Sequence, residues 1–200
     1  MSKKIGIFGG TFDPVHMAHL HMAQCALEQA GLDKVIFVPN GTPPHKENSG
    51  ITSGEHRYNM LVLATEDNPC FEVSDYELTK GGLCYTVDTM RYYKSAYPEH
   101  SFVFMLGADS LDYLDRWYDG ENLIRENSFL VAVRDFRDGY DIGANIRRIE
   151  NMGGRISLIQ MPPLDISATY IRETASQGHS VAYLTTPKVG QYIRDKELYK

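Results

Sequence analysis

Two hundred residues suit one compact domain, with room for a small appended lobe, and are enough to bury a core. With 20 basic and 26 acidic side chains the formal charge is −6, which argues against wrapping duplex nucleic acid or sitting on an anionic membrane; a few amides and cations in one cleft still suffice for a small polyanion. The three cysteines, Cys25, Cys70 and Cys84, lie far apart without a CxxC pair, so neither a zinc knuckle nor a disulfide framework follows, and reduced thiols are expected.

The opening MSKKIGIFGG has too short an apolar stretch for a signal peptide, and no 18-residue apolar run occurs. A soluble, cytoplasmic protein is expected. Short apolar runs then alternate with segments of helical period. Residues 5–8, 35–38, 102–106, 129–133 and 156–159 read as buried strands. Leu20, Ala23, Leu27 and Ala30 mark one face of a helix that Gly31 ends. Thr52 with Glu55 predicts a capping box for a second helix, with Met60, Leu61 and Ala64 facing inward. Val87, Met90, Tyr93 and Tyr97 stripe a third, stopped before Pro98. Ser167 is the expected N-cap of a fourth helix, and Pro187 fits the first turn of a last one.

This order predicts an α/β fold: a Rossmann-like, doubly wound parallel sheet with helices on both faces. One domain is expected over residues 1–200, with a small helical portion over about 165–200. Ligands of such sheets bind beyond the carboxyl ends of the strands, so the segments after Phe8, Val38, Leu106, Val133 and Ile159 should crowd one cleft.

The segment GIFGGTFDPVHMAH, residues 6–19, carries the most chemistry. It is neither GxGxxG nor a Walker A loop, yet it is built for phosphate. Gly9 and Gly10 let backbone approach a ligand, and Thr11 adds a hydroxyl. Pro14 marks the approach to a helix whose first amides and dipole favour an anion. His16 and His19, three apart, share one helical face and would point into the cleft. A metal site using His16, His19 and His21 is the distant alternative, since Asp13 is the one carboxylate nearby and no HExxH pattern exists.

GGTFDPVHMAH resembles the GxFDPxHxGH signature of the HxGH nucleotidylyltransferase superfamily, with Ala18 in place of the usual glycine. The resemblance implies that Gly9, Gly10, Thr11, Phe12 and Asp13 help bind substrate, and that His16 and His19 bind the triphosphate and stabilise the transition state. Near the other end, DISATYIR resembles the superfamily's ISSTxIR motif, with Ala168 replacing a serine. Ser167 and Thr169 would then serve the β- and γ-phosphates, with Arg172 offering its fork to phosphate oxygens.

Three further stretches are similar to the bacterial nicotinate-mononucleotide adenylyltransferase family. Residues 38–46, VPNGTPPHK, look like its proline-rich loop, placing Asn40, His45 and Lys46 about the phosphates. The segment YTVDT matches the start of its third helix, where Thr86 contacts the nicotinate carboxylate. Gly107 and Asp109 follow a central strand and precede Trp117; the resemblance gives the aspartate to ribose and the tryptophan to the pyridine ring. Arg134 is expected near adenosine.

The expected activity is transfer of the adenylyl group of ATP to nicotinate mononucleotide. His16, His19, Lys46 and Arg172 stabilise charge, and Mg²⁺ bridges phosphates. The expected partners are those two small molecules, with no nucleic acid and no membrane; the scattered tyrosines permit a homo-oligomer. Alternatives are nicotinamide mononucleotide or phosphopantetheine as acceptor, or a nucleotide-binding regulator without chemistry. A phosphopantetheine enzyme would usually carry threonine at the place of His16.

Overall fold

A computed structural model of the chain describes residues 1–41, 50–133 and 142–200. Six strands form one sheet: β1 (Lys4–Gly10), β2 (Lys34–Pro39), β3 (Phe71–Val73), β4 (Ser101–Gly107), β5 (Ser128–Val133) and β6 (Arg155–Gln160). Pairing is parallel throughout, in the spatial order β3-β2-β1-β4-β5-β6. The described helices are α1 (Met17–Ala30), α2 (Gly54–Thr65), α3 (Tyr76–Lys80), α4 (Thr86–Ala96), α5 (Gly120–Glu126), α6 (Ile142–Asn151), α7 (Ala168–Ser176) and α8 (Pro187–Asp195).

The pleat sorts each central strand into two cores. Ile5, Ile7, Phe102, Phe104 and Leu106 face α4, α5 and α6 through Met90, Ile124 and Ile149. Phe8, Val103 and Met105 face the other way, toward Met22 of α1, Met60 of α2, Ile171 of α7 and Ile193 of α8. Burial on both faces explains the unbroken apolar runs in the sequence. The doubly wound, Rossmann-like α/β architecture is therefore as expected, and the late helices close the α1 side.

Local signals act where their chemistry is strong. Gly31 takes the left-handed conformation at φ 59° and its N–H closes on the Leu27 carbonyl, ending α1. Ser167 caps α7 by accepting from the Tyr170 N–H, and Pro187 occupies the first turn of α8.

Several details differ from expectation. Ser53, not Thr52, caps α2, because the Thr52 amide is drawn to Asp13. Residues 156–159 form a strand, but at the sheet edge, so Leu158 is 42% exposed and only Ile159 is buried. Tyr97 follows the end of α4 and is exposed. Pro14 precedes the N-cap residue His16, and α1 begins at Met17. β3 spans three residues and α3 five, too short for a periodic signal.

Candidate active site

Strand order reverses between β1 and β4, and the crevice beyond their carboxyl ends is where such a sheet takes a ligand. The first loop leaves β1 there. A Cβ on Gly9 would come within 3.3 Å of Phe104 on β4, and one on Gly10 would meet the Phe12 ring at 2.9 Å. Phe12 adopts a left-handed φ of 50°, which folds its ring back beneath Gly10. The ring is buried, edge-on to Phe8, Phe37 and His19. Phe12 thus offers a ligand only its backbone, whereas the Thr11 side chain is half-buried.

His16 is buried and His19 half-buried. Their rings stack with centroids 3.6 Å apart and 20° between planes. The His16 N–H donates to His19 Nδ1 at 3.3 Å, and the His19 N–H returns to the His16 carbonyl at 3.0 Å. With Nδ1 accepting, the neutral His19 ring carries its proton on Nε2, a donor suited to a phosphate oxygen.

Asp13, expected near substrate, turns its carboxylate into the protein. Its side chain is 3% exposed; Oδ2 accepts the Thr52 N–H at 3.0 Å and Oδ1 accepts the Tyr199 hydroxyl at 2.7 Å. The Asp13 carbonyl accepts Arg172 Nη1 at 2.8 Å, while Arg172 Nη2 reaches Thr169 Oγ1 at 3.1 Å. The two resembling segments therefore meet. Ser167 Oγ is occupied by the Tyr170 amide at 3.1 Å.

Arg57, on α2, organises the neighbouring strand end. It is 3% exposed and donates to the carbonyls of Thr11 at 2.9 Å, Asn40 at 2.8 Å and Thr52 at 3.0 Å. Burial pulls its pKa below the ordinary arginine value, and the charge of Asp13 opposes that pull. Asn40 also donates its N–H to the Gly10 carbonyl at 2.9 Å, so β1 and β2 end in register beside the crevice. Glu77 of α3 is buried, accepts Thr89 Oγ1 at 2.6 Å and faces the Gly41 amide. Burial, only partly offset by these hydrogen bonds, raises its carboxyl pKa.

Across the switch point, Gly107 ends β4 and a Cβ there would meet Asp109 Oδ1 at 2.6 Å, so Asp109 lies folded over the strand end. Trp117 is half-buried, edge-on to Phe104 with centroids 6.2 Å apart. Phe104 therefore meets both Trp117 and Gly9. Thr86 opens α4, and the preceding Tyr85 stacks on Tyr118 at 3.9 Å. His45, Lys46 and Arg134 lie outside the described residues.

Among the described residues no three His, Cys, Asp or Glu side chains are grouped to hold a metal, and His21 turns to Cys25 Sγ at 3.6 Å. No described helix is long and apolar enough to cross a membrane. A groove lined by Lys34, Glu72, Tyr93 and Phe102 lies where the strands begin, opposite the crevice.

Arg57 and Tyr199 were not singled out from the sequence, and Thr52 was expected only as a helix cap, not as a partner of Asp13. Arg57 sits three residues before Met60 and four before Leu61, so helical spacing alone placed a charge on the inward face. Tyr199 carried no comparable mark.

A cytidylyltransferase-like family profile matches residues 7–174. The chain is 40% identical over 198 residues to a probable nicotinate-nucleotide adenylyltransferase of Caldicellulosiruptor bescii, covering 98% of this chain and 99% of that one. It is 41% identical over 199 residues to the like-named protein of Listeria innocua, covering 100% and 98%. A Plasmodium falciparum nicotinic acid mononucleotide adenylyltransferase complexed with NaAD shares the fold, with TM-score 0.81 over 98% of this chain and 97% of that one at 23% identity. The chain belongs to the cytidylyltransferase-like family, in the company of its nicotinate-nucleotide adenylyltransferases.

Proposed function

We propose that this chain transfers the adenylyl group of ATP to nicotinate mononucleotide, giving nicotinate adenine dinucleotide and pyrophosphate in NAD biosynthesis. The observation that carries the reading is the junction of Arg172 with the Asp13 carbonyl at 2.8 Å, beside the His16–His19 stack. It ties the late helix that carries Arg172 to the loop that carries the glycine turn and leads into both imidazoles.

The acceptor's 5′-phosphate is the nucleophile, attacking the α-phosphorus in line. Its second pKa is about 6, so it is largely dianionic at neutral pH and needs no general base. The barrier is then electrostatic, and positioning and charge stabilisation supply the acceleration. His19 donates through Nε2, and Gly9, Gly10 and Thr11 bring backbone to the triphosphate. His16 braces His19 by stacking, while Arg172 and Lys46 supply positive charge. Ser167 caps the helix that carries Thr169 and Arg172. Asp109, Thr86 and Trp117 serve the acceptor nucleoside, Asn40 and His45 serve the phosphates, and Arg134 serves adenosine.

Mg²⁺ would arrive as the ATP complex, with phosphate and water oxygens as its ligands. Bound that way it neutralises triphosphate charge. The whole chain, 1–200, acts as one nucleotidylyltransferase domain in the cytoplasm, without nucleic-acid or membrane partners; exposed tyrosines such as Tyr118 and Tyr183 permit a homo-oligomer. The test is pyrophosphate release from ATP and Mg²⁺ with each of nicotinate mononucleotide, nicotinamide mononucleotide and phosphopantetheine. Nicotinate mononucleotide should give the highest kcat/KM, and release with none of the three overturns the reading.

A further inference from the structure

Tyr199 lies beyond α8, far in sequence from either signature segment, yet its hydroxyl reaches Asp13 Oδ1 at 2.7 Å across 186 residues. The chain arrives there through two left-handed non-glycine residues, Glu197 at φ 52° and Tyr199 itself at φ 67°. Such conformations persist where surrounding contacts over-determine them. Here the Leu198 N–H closes on the Ile193 carbonyl at 3.0 Å, and Leu198 and Tyr199 pack on the core that contains Phe12 and Met60.

The carboxylate that Tyr199 meets is almost fully buried, and a buried charge is tolerated only when its oxygens are satisfied. Thr52 supplies one donor and Tyr199 the other, with Arg57 close enough for its charge to be felt. Asp13 is joined directly to Phe12, whose ring supports both Gly10 and His19. Its carbonyl holds Arg172. A shift of this one residue would therefore move the glycine turn, the imidazole pair and the arginine together.

We propose that Tyr199 is a positioning residue for the adenylyl transfer, its hydroxyl completing the partners of Asp13 and so fixing the first loop against the triphosphate. The inference rests on the reading given under Proposed function. Burial, and next the Asp13 charge, raise the phenol pKa, so the group remains a donor at ordinary assay pH.

Tyr199→Phe removes one oxygen and leaves the ring on the core. Hydrogen bonds to charged groups are strong, and kcat should fall about tenfold, with KM for ATP raised and KM for nicotinate mononucleotide unchanged. Amide exchange at Gly9, Gly10 and Thr11 should accelerate by a similar factor while exchange in β4 and β5 stays as in the parent. In an Asp13→Asn background the same replacement should change kcat less than twofold, because the buried charge is gone. Wild-type kcat and loop exchange in Tyr199→Phe would overturn the proposal. So would equal losses in both backgrounds, or a loss matched by faster exchange throughout the sheet. The exchange measurement needs no turnover, so it still decides the role of Tyr199 if the unaltered protein proves inactive with all three acceptors.

Discussion

The imidazoles of His16 and His19 lie face to face, 3.6 Å between centroids, with the His16 amide directed at His19 Nδ1. One histidine thus sets the tautomer of the other. Phe12 and Phe8 meet the His19 ring edge-on, so its direction is fixed by packing before any nucleotide arrives. That is the condition under which a donor stabilises developing charge without reorganising.

Replacing His19 by alanine should therefore lower the single-turnover rate of adenylyl transfer by about 10²-fold or more, the scale for losing one preorganised donor. The measurement pairs rapid-quench kinetics with circular dichroism to confirm folding. A folded variant with an unchanged rate removes His19 from the chemistry.

Trp117→Ala should mainly weaken the mononucleotide, by about 1–3 kcal/mol if the indole stacks as on nucleobases. Titration calorimetry with each substrate separately tests this, and ATP affinity should hold. Since the indole also packs edge-on to Phe104, a modest drop in thermal midpoint is expected as well. Unaltered acceptor affinity would assign Trp117 to packing alone.

Arg57→Met should reduce unfolding free energy by about 3–5 kcal/mol, because it strips the carbonyls of Thr11, Asn40 and Thr52 of donors and removes one of the cations near the buried Asp13. Arg57→Lys should recover only part, since an ammonium cannot span three carbonyls as a planar fork does. Urea denaturation measures both; a loss below about 1 kcal/mol for the methionine variant contradicts the assignment.

Glu77 predicts a pH dependence. Its folded-state pKa is raised, chiefly by burial, so the folded protein holds this proton more tightly than the unfolded chain. The resulting stability is fully present below the unfolded value of about 4.3 and is lost as pH rises through the raised folded value. Glu77→Gln has no such proton to lose. Urea midpoints of the two proteins, measured from acid to neutral pH, should therefore shift steadily in favour of the variant. Parallel curves would show that Glu77 titrates normally.

Much of the fold was legible because strong local rules agreed with it. The runs at residues 5–8 and 102–106 are apolar on both pleat faces, Gly31 must adopt positive φ, and Ser167 and Pro187 mark helix starts. The edge elements were not, since β3 is short and β6 is largely exposed. In the site, the spacing of His16 and His19 flagged the pair, but His16 is the extended N-cap of α1 rather than a residue of the helix, so the stacking of the two rings was not legible. Nor were the duties of Asp13, because a carboxylate in a glycine-rich loop looks the same whether it faces a ligand or a tyrosine 186 positions away. Arg57 was half-legible: its inward register was visible, its carbonyl partners were not.

The anchoring of the first loop by Arg172 and Tyr199 also bears on the time course of biosynthesis. Of the partners of Asp13, Thr52 follows 39 residues later, but Arg172 and Tyr199 lie 159 and 186 residues later, a delay of roughly ten seconds or more at typical elongation rates. A nascent chain holding β1 through β5 has most of its sheet yet lacks the restraints that order its nucleotide pocket. Competence should then switch on late and abruptly, with closure of these long-range contacts, rather than grow with chain length.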